Sequence, residues 1–157
     1  MKVEFWVVGK TQFKYLNEGM EIYEKRLSKY VPFQTIVLTD IKNAKNMTPP
    51  LLKSKEGEMI LSKLDKNDLL ILLDENGKTF TSEKFAFWVE KQLQHSARKV
   101  IFLIGGAYGF SDEVYARAQQ KVALSTMTFS HQMVRLFFIE QFYRALTILK
   151  NEPYHHS

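Results

Sequence analysis

The sequence of 157 residues contains no cysteine. This absence excludes a thiolate nucleophile, CxxC redox chemistry and zinc or iron–sulfur centres bound by cysteine. It also fits a reducing compartment. The amino-terminal residues lack the long apolar region and the small-residue cleavage site of a signal peptide, so we expect a cytoplasmic protein. The length corresponds to one domain spanning residues 1–157, which is long enough to fold without disulfide bonds.

Long apolar runs are also lacking. The most apolar stretch, predicted as a helix from Ser130 to about residue 149, is interrupted by Arg135, Glu140, Gln141 and Arg144. It therefore falls short of the roughly 20 apolar residues that cross a membrane, and we expect no membrane partner. Its apolar residues nevertheless surround the helix axis, so several sides need a cover. We predict that a subunit interface covers part of this helix; the alternative is a central helix of a monomer.

Histidines are few, and no pair of them has the spacing of metal ligands on one helix. We therefore expect no zinc or other metal site, and we interpret His131 as a packing or capping residue. Lysine and arginine number 22 against 17 aspartate and glutamate residues, which gives a net charge of +5. That charge favours an anionic partner such as nucleic acid without requiring one.

Strand and helix patterns alternate along the whole chain. Short apolar runs end at Gly9, Asp40, Asp74, Gly105 and Ser125, and amphipathic stretches separate them. This alternation predicts an α/β fold with a mostly parallel sheet flanked by helices. The predicted strands are residues 3–8, 33–38, 69–73, 100–104 and 122–124, and the predicted helices are residues 13–30, 51–64, 82–93, 111 onward and 130–149.

Two intervals between these elements carry further expectations. The residues at 74–77, Asp-Glu-Asn-Gly, predict a turn at the end of the third strand. The interval 41–50 is polar and contains prolines at its end, so we expect a mobile loop. Basic residues cluster in and just after this loop, and they could form an arm that binds phosphates: Lys42, Lys45, Lys53 and Lys55.

Three segments follow the carboxyl ends of predicted strands, where parallel sheets bind their ligands. They are residues 73–74, 105–109 and 124–129. Glycines in the second segment allow a backbone to approach a ligand closely, although a tight turn would also explain them. No GxGxxG fingerprint or phosphate-binding P-loop is present. In the third segment, hydroxyl groups and extended backbone are suited to pairing with an adenine edge.

The last helix and the tail offer candidate catalytic groups. Arg144 lies four residues after Glu140, which predicts either an ion pair or a bidentate clamp for phosphate. Composition alone favours a frayed terminus for residues 151–157. The alternative is a tail that folds over a bound base, with Tyr154 stacking on the base and His155 within reach of a proton.

Several motifs together resemble the RlmH family, small SPOUT-class methyltransferases that act on large-subunit ribosomal RNA. The motifs are LIGGAYG at 103–109, ALSTMTFSHQM at 123–133, EQFYRA at 140–145 and the terminal Tyr154-His155. The similarity covers essentially the whole chain. It implies a SPOUT-type fold with a carboxyl-terminal trefoil knot, a homodimer, and S-adenosyl-L-methionine as methyl donor. It further implies methylation of N3 of a pseudouridine in 23S ribosomal RNA on assembled ribosomes.

The resemblance also implies roles for individual residues. The helix arginine and the tail would face the substrate, and we hypothesise that His155 is the base while Arg144 stabilises charge. His156 stands where many relatives have arginine, so the role of position 156 is open. The implied catalytic residues are Arg144, Tyr154 and His155, and the implied donor-binding residues are Leu73, Gly105, Leu124, Ser125, Thr126, Met127, Thr128 and Phe129.

Two other classes of function stay compatible with the sequence. A nucleotide-binding oxidoreductase or a flavodoxin-like protein would use the glycine segment at 105–109, but the dinucleotide fingerprint is missing. A non-catalytic RNA-binding dimer is allowed by the charge. It would bind ribosomes without any affinity for S-adenosylmethionine, so donor binding distinguishes it from an enzyme.

Overall fold

Five parallel strands form one sheet in the computed structural model of the protein, which describes residues 1–156. The strand order is β2-β1-β4-β3-β5, and every pairing is parallel. The three central strands β1, β4 and β3 are almost completely buried along their apolar runs, as expected for strands covered on both faces. The strands are β1 (Lys2–Val8), β2 (Phe33–Leu38), β3 (Leu69–Lys78), β4 (Lys99–Ile104) and β5 (Gln120–Val122).

Helices cover both faces of this sheet, which confirms the predicted α/β layer structure. The helices are α1 (Lys14–Leu27), α2 (Pro49–Lys63), α3 (Ser82–Leu93), α4 (Asp112–Arg117) and α5 (Met133–Leu149), with a short 3₁₀ helix at Ala44–Asn46. Buried residues of α1, α3 and α5 form one apolar core with the sheet. Ile60 of α2 and Val114 of α4 belong to a second core on the opposite face.

Helix α5 supplies the centre of the larger core. The ring of Phe138 lies 4.6 Å from that of Phe5 and 4.9 Å from that of Phe102. The helix packs between α1 and α3 and against the sheet. Its outward side still exposes about two fifths of Met133 and Phe137. Within residues 1–156, no helix combines the length and the apolar character needed to cross a membrane.

Residues 74–77 form the predicted local turn, but this turn does not end the strand. Leu73 and Lys78 both pair with Val122 of β5, the Asn76 amide donates to Asp74 Oδ1 at 2.9 Å, and strand β3 extends to Lys78. Gly77 permits this contact, since a Cβ atom there would lie 2.6 Å from backbone atoms of Val122. Strand β5 itself occupies Gln120–Val122 rather than residues 122–124.

Several helix boundaries also differ from the prediction. Helix α5 begins at Met133 rather than at Ser130, although the Ser130 hydroxyl does accept a hydrogen bond from the Met133 amide. Helix α3, by contrast, has its predicted bounds, and Thr81 caps it. Helix α1 is shorter than the predicted interval 13–30. The interval 41–50 is not a continuous loop, because it holds the 3₁₀ helix and the start of α2.

Gly57 lies inside α2, where sequence alone would count it as a weak helix former. We expect Gly57→Ala to destabilise the protein by about 1–3 kcal/mol, because an added Cβ would lie 2.3 Å from Ser111 Oγ. At an exposed helix position the same substitution would stabilise by about 1 kcal/mol. Urea denaturation checks the sign, and Glu58→Ala at the next, exposed position is the control. A stabilised Gly57→Ala variant would contradict this packing.

Candidate active site

A cleft of about 630 Å³ lies beyond the carboxyl ends of β3, β4 and β5. This is where a parallel sheet binds its ligands, and the volume falls in the ordinary range for small-molecule sites. The structure brings seven of the eight predicted donor-binding residues to its walls. Thr126 is exposed on the same loop and lies outside the lining. The seven are Leu73, Gly105, Leu124, Ser125, Met127, Thr128 and Phe129.

The glycine segment forms one wall of the cleft and is also a tight turn. The Gly109 amide donates to the Gly106 carbonyl at 3.1 Å, and Gly109 has a φ of 82°, which favours glycine. A Cβ on Gly105 would lie 2.9 Å from the Phe110 ring. Both interpretations of this segment therefore agree with the structure, because the turn itself presents backbone to the cleft.

The segment 123–132 forms the opposite wall and has neither helix nor strand structure. It is fixed by contacts that the sequence did not predict. The buried Gln132 accepts a hydrogen bond from the Gln12 amide at 2.8 Å and donates one to the Lys10 carbonyl at 3.2 Å. These bonds fasten the segment to the chain just after β1. Only the position of Gln132 between a polar segment and a helix could have hinted at this role.

Carboxylates give the cleft a negative side. Asp74, Glu75 and Asp112 all contribute to its lining, whereas sequence analysis placed only Asp74 there. The Tyr115 hydroxyl donates to Asp74 Oδ2. Burial of Tyr115 and this hydrogen bond raise the pKa of its hydroxyl, which therefore stays protonated as a donor. The arrangement suits a ligand that carries positive charge, because opposite charges attract strongly at a partly enclosed site.

The carboxyl-terminal tail is folded back onto the protein, so the frayed terminus that composition favours is wrong for residues 151–156. The Tyr154 hydroxyl donates to Glu140 Oε1 at 3.0 Å and lies 2.9 Å from the Tyr23 hydroxyl. Its ring meets that of Tyr143 edge to face at 4.8 Å between centroids. Burial and these hydrogen bonds raise the pKa of Tyr154, so its hydroxyl is not a base at neutral pH.

Arg144 and His155 lie together with Glu140, Tyr154 and Glu83. These five side chains form the candidate catalytic cluster. Arg144 binds Glu140 Oε1 through Nε at 3.1 Å, which confirms the predicted ion pair. Its guanidinium also lies 4.9 Å from the centroid of the Tyr154 ring. Arg144 Nη1 is 3.0 Å from His155 Nδ1, and His155 Nε2 is 2.9 Å from Glu83 Oε1.

These distances define the tautomer of His155. A guanidinium has no acceptor, so Arg144 donates to Nδ1 and the ring proton must be on Nε2, which donates to Glu83. The hydrogen bond from His155 holds the pKa of the Glu83 carboxyl below its ordinary value. Nδ1 is thus the ring nitrogen with a lone pair, and Arg144 occupies it.

Within one chain, the cleft and the cluster are two separate sites. None of Arg144, Tyr154 and His155 is part of the lining of the cleft. The cluster includes helix α3 through Glu83, which contacts His155. Residues 1–156 contain no group of three or more histidine, aspartate and glutamate side chains that could hold a metal ion.

The contact between His155 and Glu83 predicts a pH-dependent tail. The pKa of Glu83 is lowered in the folded state, so this contact stabilises the folded tail fully above about pH 5. The stabilisation is lost as pH falls through the lowered pKa. We expect the NMR signals of the Tyr154 ring to shift in this acidic range. Glu83→Gln cannot ionise and should remove that transition. An identical transition in Glu83→Gln would show that another group controls the tail.

Comparison with known proteins identifies the class first. A family model described as "Predicted SPOUT methyltransferase" matches residues 1–155, so the chain belongs to the SPOUT methyltransferases. Among its relatives, proteins named "Ribosomal RNA large subunit methyltransferase H" are 54% identical in Flavobacterium johnsoniae and 52% identical in Parabacteroides distasonis, each over the full length of both chains. The protein of that name in Christiangramia forsetii is 53% identical over 99% of both chains. Within the SPOUT class, the chain is a member of the RlmH family.

Proposed function

We propose that the protein transfers a methyl group from S-adenosyl-L-methionine to N3 of a pseudouridine in large-subunit (23S) ribosomal RNA on assembled ribosomes. The observation that carries this proposal is the cleft of about 630 Å³ at the carboxyl ends of three strands, lined by seven of the eight residues that the RlmH resemblance assigns to donor binding. Membership of the family and the names of the relatives support the substrate class.

The residues of the cleft fit this donor. S-adenosylmethionine supplies an activated methyl group on a positively charged sulfonium. Carboxylates of Asp74, Glu75 and Asp112 offer favourable electrostatics for such a cation. On the other walls, the backbone at Gly105 and in segment 124–129 would pair with the adenosine.

Arg144, Tyr154 and His155 then prepare the acceptor. The N3–H bond of the base breaks as N3 takes the methyl group, so one proton has to leave. We assign that proton to Nδ1 of His155, whose tautomer is set by Glu83. Arg144 would turn from Nδ1 toward the base and stabilise negative charge on the imide, and its guanidinium would keep the contact with the Tyr154 ring.

The active form is proposed to be a homodimer of single-domain chains, each comprising residues 1–157 with a carboxyl-terminal trefoil knot. The outward side of α5 supports the dimer, because Met133 and Phe137 each expose 41% of their surface there. Exposed apolar side chains on an otherwise buried helix favour a second copy as cover.

Contact with the ribosome should depend on salt. Lys42, Lys45, Lys53 and Lys55 lie in and beside the start of α2, and Lys53 also lines the cleft. If all four contact phosphates, raising salt from about 50 to 200 mM should weaken ribosome binding about 50-fold. Replacing the four lysines with glutamine should flatten this dependence, whereas replacing Lys84, Lys91 and Lys150 should not. Salt-independent binding would contradict the basic arm.

Methyl transfer tests the proposal directly. Ribosomes that lack the modification are incubated with the purified protein and donor labelled in its methyl group. We expect close to one label per ribosome, in the RNA of the large subunit. Ribosome binding without donor binding would instead favour the non-catalytic RNA-binding dimer.

A further inference from the structure

A second cavity, of about 230 Å³, lies between the donor cleft and the cluster around Arg144. It shares Val122, Ala123, Leu124 and Phe129 with the cleft. Its other side contains Ser82 and Gln141, the sequence neighbours of Glu83 and Glu140 in the cluster. The cavity therefore borders the donor cleft on one side and residues next to the cluster on the other.

The walls of this cavity are aromatic. Phe80, Phe85, Phe129 and Phe137 all contribute, and the Phe129 and Phe137 rings are 5.1 Å apart. Aromatic walls favour a flat ring that can stack on them. The volume is below the roughly 300–1,000 Å³ of ordinary small-molecule sites, so it suits a single ring and not a whole nucleotide.

One edge of the cavity is polar and incompletely paired. Gln141 Oε1 accepts from the Ser82 hydroxyl at 3.2 Å, and Gln141 Nε2 donates to Glu140 Oε2 at 3.0 Å. A primary amide carries two N–H donors. The second one is therefore available for a carbonyl oxygen of a ligand. A pyrimidine dione presents that acceptor in the plane of a stacking ring.

We propose that this cavity receives the acceptor base, a single uracil-type base turned out of the RNA. The base stacks between the phenylalanine rings, one of its carbonyls accepts from Gln141, and its reactive edge lies at the junction with the donor cleft. This inference rests on the proposed function. Turning a base out loses its stacking in the RNA, and stacking in an aromatic pocket offsets that loss.

The competing occupant is an apolar side chain of a second copy of the chain. The polar edge formed by Ser82 and Gln141 favours the base, since an apolar side chain would leave the second Gln141 N–H without a partner. The cavity also opens toward Leu124 and Phe129 of the donor cleft, where a methyl group must be delivered.

Ser82→Leu tests the proposal by filling the cavity, and Ser82→Ala is the matched control that leaves it open. Thr81 caps helix α3, so neither substitution removes the cap. We expect Ser82→Leu to lower kcat/KM for ribosomes about 100-fold, while donor affinity by calorimetry and the dimer mass stay unchanged. Ser82→Ala removes one hydrogen bond to Gln141 but leaves the cavity open, so it should lower kcat/KM by no more than about fivefold. Gln141→Leu, a second variant at a half-buried site, should lower kcat/KM about tenfold.

The outcomes separate this inference from the proposed function. If wild type methylates ribosomes and Ser82→Leu and Gln141→Leu do so equally well, the base binds elsewhere and only the cavity assignment is overturned. If these variants lose the dimer together with activity, the cavity is a subunit contact, which also overturns it. If wild type transfers no methyl group to ribosomal RNA, the proposed function fails, and the acceptor assignment fails with it.

Discussion

Removal of residues 154–157 is expected to reduce methyl transfer by at least about 1,000-fold, because it deletes both a proton acceptor and the groups that position it. Tyr154 and His155 would be lost, and Arg144 would keep only its contact with Glu140. Donor affinity should change by no more than about twofold, since no residue of the tail lines the cleft. Calorimetry for the donor and single-turnover transfer measure the two effects separately.

Point variants divide this effect among the residues. His155→Gln keeps a hydrogen-bonding side chain but cannot take the proton, so it should lower kcat with little change in KM. Arg144→Lys keeps the charge but loses the planar fork and should also be impaired. His156→Ala is the matched control, because His156 is exposed and neighbours the same residues in sequence. Full transfer by the truncated protein would contradict our assignment of the cluster.

Arg135→Met is expected to destabilise the protein by about 3–5 kcal/mol, the range for removing one partner of a buried charged network. Arg135 is completely buried. Its guanidinium donates to the carbonyls of Val8 at 2.9 Å, Gly9 at 2.8 Å and His131 at 3.1 Å. The substitution would leave those acceptors unpaired, and each buried orphan costs about 1–3 kcal/mol.

Urea denaturation measures this loss of stability. We expect the slope of the unfolding free energy against urea concentration to stay unchanged. Burial lowers the pKa of Arg135 while the charge of Asp40 opposes that effect, so the side chain remains a cation in the folded protein. Arg135→Lys keeps the cation but offers fewer fixed donors. Its free energy of unfolding should therefore lie between that of Arg135→Met and that of the wild type. A loss below about 1 kcal/mol for Arg135→Met would mean that water replaces the guanidinium.

The strands and helices were predictable where the signal is local. The apolar runs of β1 and β4 lie close to their predicted positions, because burial on both faces requires continuous apolar sequence. The turn at 74–77 was predictable from its residues, but its position inside strand β3 was not, because the pairing of Lys78 with Val122 is a tertiary contact. Gly77 permits the close approach of β3 and β5 there.

The candidate site was predictable in part for a similar reason. Strand ends follow from the alternation of elements, so the cleft and its walls at Gly105 and segment 124–129 could be anticipated. Arg135 could not, because its partner Gly9 is 126 residues away in sequence and a lone arginine in an apolar helix looks like an interruption. The tail was misjudged from composition, since its order depends on Tyr23, Glu83 and Glu140 in distant elements.

The most direct test of the central claim is the position of the transferred methyl group. Ribosomes lacking the modification are treated with the protein and S-adenosylmethionine, and the large-subunit RNA is digested and mapped by mass spectrometry. Our account predicts a methyl group on N3 of a single pseudouridine, present with wild type and absent with the variant lacking residues 154–157. A methyl group on another nucleotide or another atom, or none despite donor binding, would contradict it.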